Sequence, residues 1–285
     1  ELEVGSVFSH GSRIILCSSH TCSASCADTG EALFTLHKPD VNGVLAFPSG
    51  ERLLILGRTR AALILDTTAF RMVCQTEAGQ SSAGMGSTFP EEDRFVTGSL
   101  GSTSVAIWSA TSCRLLLELR HSYRVTDVAV FASGTSVATA WRVGADGPAR
   151  VSIWSADTGD RLRDLEHMGF RGDVLLVDGF SPNGYLAVAT STGLSLWNAT
   201  SAELVQSFEE QLAESVMAWD IVVSRGGDIV LLSNSDDDVA SVWDVASGAK
   251  LETFVQDGPR HFAFQVGSVL DPDGFGHGIS WRQLP

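Results

Sequence analysis

Tryptophan returns along this chain at a nearly fixed interval. Trp108, Trp154, Trp197 and Trp243 are 46, 43 and 46 residues apart. Three segments around them align over their whole length: SVAIWSATSCRLLLELRH (104–121), RVSIWSADTGDRLRDLEH (150–167) and ASVWDVASGAKLETF (240–254). A fourth, LSLWNATSAELVQSF (194–208), is clearly related. A chain with such a period folds as an array of like units, each one supersecondary element long.

The grammar inside the unit says which element. An alternating apolar strand ends in Trp, a turn of Ser, Asp, Thr, Asn or Gly follows, and a second strand carries Leu or Phe at alternate places. This is a hairpin signature. A second landmark is an apolar strand ending in a Phe-x-x-Gly-like turn. It occurs at 8–11, 47–50, 89–93, 131–134 and 180–184, and in relaxed form at 224–227 and 270–274. Those turns carry the period to both ends of the chain, where the Trp is replaced. Ser25 stands in the Trp place of the first unit, and Ile64 or Leu65 in that of the second.

Each unit therefore reads as four short antiparallel strands, which must stack on neighbours to bury both faces. Only SAELVQSFEEQLAESVMAW (201–219) has mildly helical spacing, and the repeat alignment reads its start as strand. The expected fold is all-β: a β-propeller of four-stranded antiparallel blades, six complete units plus a partial seventh. As one domain over 1–285, the units are 1–37, 38–78, 79–121, 122–167, 168–210, 211–257 and a partial 258–285. Trp281 follows the last turn too soon to be a usual third-strand Trp.

Composition narrows the function classes. Mean hydropathy is +0.13, yet no run reaches the roughly 18 uncharged apolar residues of a membrane helix. A net charge of −15 argues against a phosphate-neutralising face and against an anionic membrane surface. The acidic runs 91–93, 209–210 and 236–238 read as solvated loops, or as a surface for partners with basic faces. Cys17, Cys22, Cys26, Cys74 and Cys113 are odd in number and lack zinc-knuckle spacing, so buried free thiols in a reducing, intracellular setting are expected. The chain opens ELEVGSVFSHG with no initiator Met and no signal-peptide pattern, as expected of a fragment or processed chain at a cytoplasmic location. Asn198-Ala-Thr200 matches the glycosylation sequon at a place where a turn residue is due anyway.

The repeat resembles the WD-repeat family over nearly the whole chain. Trp243-Asp244 is a literal Trp-Asp, with Trp108-Ser109, Trp154-Ser155 and Trp197-Asn198 as relaxed forms. VTGSLGSTSVAIW (96–108) matches the family's second and third strands. His121, Val125, Val128, Val130 and Phe131 match its Gly-His-to-first-strand spacing, with Arg120 in the Gly place. The resemblance implies a buried hydrogen-bond chain of His, Ser or Thr, Asp and Trp, here His121, Thr139, Asp146 and Trp154, with members missing elsewhere. It makes Trp108, Trp154, Trp197, Trp243, His121 and Asp244 structural repeat residues. The degenerate tandem units are also similar to C-terminal repeats of large signalling proteins of the NACHT-and-WD-repeat kind.

Chemistry is sparse. There is no Gly-x-Ser-x-Gly elbow, His-Glu-x-x-His helix or Gly-Lys-Ser/Thr phosphate loop, and SSAGMGS (81–87) has neither a Lys nor a following helix. His37, His121 and His167 recur after fourth strands and read as repeat features, and His277 as part of a tail loop. Asp236-Asp237-Asp238 reads as a turn rather than a weak calcium site. No catalytic residue, cofactor or metal is expected.

Two functions are then compared. The first is a non-catalytic scaffold for other proteins within a larger chain, with Tyr123, Arg124, Trp141, Arg142, Phe170 and Arg171 as anchors in the loops. Trp141 stands out because it lies outside the Trp series, beside an insertion at 142–150, where core packing suits it as well as an exposed anchor does. The second is a propeller enzyme or ligand-binding domain with a carboxylate-lined central channel, using Asp127, Asp173, Asp178 and Asp220 on or beside the first strands. The missing catalytic motifs favour the scaffold.

Overall fold

The computed structural model describes residues 4–8, 12–17, 21–37, 41–57, 61–77, 84–99, 101–131, 134–142, 149–165, 174–179, 184–190, 193–208, 218–223, 228–234, 239–255, 262–266 and 279–283. All regular elements among them are strands. The first sheet holds β1 (Val4–Phe8), β2 (Arg13–Cys17), β3 (Thr21–Cys26) and β4 (Ala32–His37). The second holds β5 (Val41–Ala46), β6 (Arg52–Gly57), β7 (Leu63–Asp66) and β8 (Arg71–Gln75). The third holds β9 (Met85–Thr88), β10 (Arg94–Gly98), β11 (Ser104–Ser109) and β12 (Leu115–Arg120). The fourth holds β13 (Arg124–Phe131), β14 (Ser136–Arg142), β15 (Ala149–Ser155) and β16 (Arg161–Leu165). The fifth holds β17 (Val174–Gly179), β18 (Tyr185–Thr190), β19 (Gly193–Asn198) and β20 (Glu203–Phe208). The sixth holds β21 (Ala218–Val223), β22 (Ile229–Asn234), β23 (Val239–Asp244) and β24 (Lys250–Val255). A last pair, β25 (Phe262–Val266) and β26 (Ile279–Gln283), carries Trp281 on its second strand.

The chain divides into two compact units. One is Glu1–His121 with His261–Gln265 and Gln283–Pro285; the other is Ser122–Arg260 with Val266–Arg282. In the first unit, Ile15, Cys17, Cys22 and Ala24 pack on Leu53, Ile55, Leu63 and Leu65. The far face of the second sheet (Leu54, Leu56, Ile64) packs on Phe95, Ala106 and Trp108. In the second unit, Ala138, Ala140, Val151 and Ile153 meet Leu186, Val188 and Trp197, and Ala187, Ala189 and Leu196 meet Val230, Leu232 and Trp243. Middle strands are thus apolar on both faces, whereas outer strands such as β12 alternate poorly and stay exposed.

Irregularities also repeat. In all six four-stranded sheets the outermost strand has one extra residue beside the Trp place: Leu33, Val73, Leu116, Leu162, Val205 and Leu251. A bulge there twists an exposed edge and interrupts its row of free backbone groups. Four first strands carry a matching bulge, at Asn42, Thr126, Leu175 and Trp219.

The turn between third and fourth strands has a left-handed residue at one fixed place. It is Gly30, Gly159 and Gly248 in three sheets, but Phe70 (φ 47°), Cys113 (φ 52°) and Ala202 (φ 61°) in the others. A side chain is disfavoured there and needs compensation. Each of these three packs on the preceding sheet. Phe70 stacks on Phe34 at 5.3 Å, Cys113 is disulfide-bonded to Cys74, and Ala202 packs on the cluster shared with the fourth sheet. At Gly248 an added methyl would run into the Gln206 amide. Phe34, Cys74 and Gln206 occupy one equivalent place, each following its own strand's bulge. The turn is therefore the clasp between consecutive sheets within each unit, and the Cys74–Cys113 bond is its covalent form.

A second disulfide joins Cys17 to Cys22, directly paired across β2 and β3. The expectation of five free thiols is corrected: only Cys26 is free. Buried neighbouring cysteines within bonding distance are as apolar as the free thiols expected, so spacing alone misled. The inference of a reducing setting drawn from those thiols falls with them, since disulfides persist in oxidising ones. No helix among the described residues is long and apolar enough to cross a membrane.

Candidate functional site

The repeat tryptophans set a baseline. Trp108 Nε1 donates to Thr97 Oγ1 at 2.8 Å, and Trp154 Nε1 donates to Thr139 Oγ1 at 2.8 Å. Thr97 and Thr139 are buried, two places beyond the residue paired with the Trp, on the same face. In the fifth sheet that place is Val188, and Trp197 Nε1 turns to Ser195 on its own strand at 2.9 Å. In the sixth it is Leu232, and buried Trp243 Nε1 has no hydrogen-bond partner among the described residues.

Of the implied hydrogen-bond chain, the Thr139–Trp154 link is present. Asp146 lies outside the described residues, and the His121 backbone N–H donates to Thr103 O at 2.7 Å. Asp244 is a turn residue whose Oδ1 accepts the Ser247 N–H at 2.7 Å.

The fourth sheet departs from this baseline at one end. Two places past Thr139 stands Trp141, where the other sheets have Gly57, Ser99, Thr190 and Asn234. Trp141 is 7% exposed, which matches the core one of the two readings open for it. It sits on β14 opposite Arg150 and Val125, and only its cap reaches solvent. That cap is Tyr123, 39% exposed, stacked on Trp141 with centroids 5.5 Å apart and planes 2° apart.

A cycle of contacts holds the indole. Trp141 Nε1 donates to Ser152 Oγ at 2.6 Å, and Ser152 Oγ donates to Asp164 Oδ1 at 2.8 Å. Asp164 takes a bidentate grip from Arg161, Nε to Oδ1 at 2.8 Å and Nη2 to Oδ2 at 2.6 Å. Arg161 closes the cycle with its guanidinium 5.4 Å from the Trp141 ring and 5.8 Å from Trp154. Arg150 adds a second guanidinium at 5.9 Å from Trp141. Cations over indole faces in partly desolvated surroundings contribute roughly 0.5–2 kcal/mol each. The plate is therefore fixed before any ligand arrives.

Arg124 and Arg142 are cross-strand partners on the last rung of the β13–β14 ladder, with Arg124 exposed and Arg142 half-buried. The first-strand bulge at Thr126 falls two residues further in. Four of the six expected anchors, Tyr123, Arg124, Trp141 and Arg142, are thus brought to one end of one sheet. Phe170 and Arg171 lie outside the described residues. Sequence reasoning missed Arg150, Ser152, Asp164 and Arg161. Their signal was available in the alignment, because Arg150 replaces Ser104, Gly193 and Val239 of the sister strands.

The carboxylate set is less assembled. Asp127 is half-buried on β13, Asp178 lies on β17 and Asp220 on β21 at its bulge, and Asp173 is outside the described residues. Among the described residues no group of three His, Cys, Asp or Glu is placed to hold a metal ion. Asp66 is held at about 2 by the Ala69 N–H, then the Thr68 hydroxyl and N–H, which marks a turn and not a reactive group.

No family model matches the chain, and no curated protein matches it. Among solved structures it is similar to the Kuenenia stuttgartiensis hydrazine synthase, with a TM-score of 0.72 at 10% identity, over 85% of this chain and 76% of that one. At that identity the likeness carries the fold alone: the architecture is all-β and β-propeller-like. The scaffold expectation is nevertheless corrected by this finding. That similar structure is named as a synthase and not as a scaffold.

Proposed function

We propose that this chain is a ligand-binding β-propeller domain of degenerate WD-type blades, and that the ligand docks at the Tyr123–Trp141 end of the fourth sheet. The observation that carries the reading is the Trp141 cycle. Among the described residues it has no counterpart at the equivalent places of the other sheets, and it spends a Trp, a Ser, an Asp and an Arg on one aromatic plate. Residues that follow the repeat serve the fold. A preorganised cluster that breaks the repeat, with one ring open to solvent, is what a binding site requires.

The test is saturation-transfer NMR of the full chain with phenol as a neutral aromatic probe. Transfer is expected in the native protein and is lost in Tyr123→Ala with the fold intact by circular dichroism. Absence of transfer, or transfer that survives Tyr123→Ala, contradicts the reading.

A further inference from the structure

We infer that the ligand is a flat, uncharged aromatic ring, and that it inserts between Tyr123 and Trp141, with Tyr123 acting as a hinged cap. This rests on the proposed site and adds its occupant and the way in. The two stacked rings are held very unequally. Trp141 is fixed inside its sheet, paired with Val125 on one side and Arg150 on the other, and its indole N–H is committed to Ser152. Tyr123 lies just outside the ladder, whose end rung is Arg124–Arg142. Among the described residues its hydroxyl has no hydrogen-bond partner, and its ring is held by the stack on Trp141.

Ser122 and Tyr123 are both exposed, and their backbone precedes the ladder pairing of β13. Exposed side chains change rotamer on fast timescales, so a ring held by stacking alone opens and recloses readily. The two planes differ by 2°, with centroids 5.5 Å apart. A guest ring needs about 3.5 Å to each host ring, so the hosts must part to roughly 7 Å. Swinging Tyr123 outward supplies that gap while Trp141 stays in place. A ligand that binds the open state then shifts the population towards it.

The parallel faces grip a flat guest on both sides and offer a puckered ring no equivalent contact. Charge of either sign is disfavoured. Arg161 and Arg150 stand 5.4 and 5.9 Å from the indole and already take the place a cation would seek. The negative faces of Tyr123 and Trp141 repel an anion.

The experiment measures intermolecular NOEs between phenol and the full chain, with binding of cyclohexanol, benzylammonium and benzoate compared and Tyr123→Phe as the variant. Circular dichroism checks the variant's fold. Phenol is expected to give NOEs to the ring protons of both Tyr123 and Trp141. NOEs to one of the two rings alone overturn the insertion and leave the proposed site standing. NOEs to neither, or no binding, overturn the proposed site as well. Cyclohexanol has a similar size without a flat ring and is expected to bind roughly tenfold or more weakly, and equal affinity overturns the aromatic assignment. Benzylammonium and benzoate are expected to bind more weakly than phenol, and tighter binding by either overturns the neutral assignment. Tyr123→Phe keeps the ring and is expected to hold phenol within about twofold. A larger loss shows that the hydroxyl secures the cap and overturns the hinge.

Discussion

The fourth and sixth sheets have the same frame and different polar contents. Each has four antiparallel strands, an outer bulge, a Trp closing the third strand, and a cation opposite that Trp: Arg161 over Trp154 and Lys250 over Trp243. In the fourth, Trp154 is hydrogen-bonded to Thr139 and flanked by the Trp141 cycle. In the sixth, Leu232 occupies the threonine place and the Trp243 N–H is buried without a partner among the described residues. The difference teaches that apolar stacking alone sustains a unit of this fold. Polar elaboration is added where something other than folding requires it.

The comparison breaks first if packing is not the shared basis. Trp154→Ala and Trp243→Ala are each expected to cost about 3–5 kcal/mol by denaturant melts, because both rings are core. A near-neutral effect at Trp243 would mean that the sixth sheet does not depend on its Trp. The clasp comes next. Reduction, or Cys113→Ser, is expected to remove about 2–4 kcal/mol. Thiol labelling under denaturing, non-reducing conditions should modify Cys26 alone, and labelling of all five cysteines would refute both disulfides.

A smaller contrast isolates the hydrogen bond itself. Trp154→Phe and Trp243→Phe lose similar volume, but only the first breaks a bond and strands the Thr139 hydroxyl. Trp154→Phe should therefore cost about 1 kcal/mol more, and equal costs would remove the polar difference between the two sheets. The smallest effect belongs to Asp66. Its carboxyl is depressed in the folded state, so its stabilising contribution is present above pH 4 and is lost as pH falls towards about 2. Carbon-detected NMR of Asp66 checks this, and titration at the ordinary carboxylate value contradicts the turn contacts.

Much of this was legible in the sequence because the repeat samples each position several times. Strand order, the Trp series and the Phe-x-x-Gly turns followed from alignment, and Tyr123, Arg124, Trp141 and Arg142 were singled out as loop candidates without being placed together. What stayed hidden depended on distance across sheets. Cys74 and Cys113 are 39 residues apart and meet only because the left-handed turn of one sheet touches the outer strand of the previous one. Trp141 read as equally suited to a core or an exposed anchor. Its burial under Tyr123 follows from the register Val125–Trp141–Arg150, which spacing does not reveal. The scaffold expectation rested on missing catalytic motifs, and such motifs say little about a site built from arginines and aromatic rings.

The central claim is that the ligand meets Trp141, a Trp outside the repeat series. Incorporating 5-fluorotryptophan gives seven fluorine signals, one for each Trp, and Trp141→Phe assigns the signal that matters. On titration with phenol, the Trp141 signal is predicted to shift first and furthest, while those of Trp108, Trp197 and Trp243 stay in place. A titration that moves the repeat tryptophans and leaves Trp141 unchanged would contradict the account.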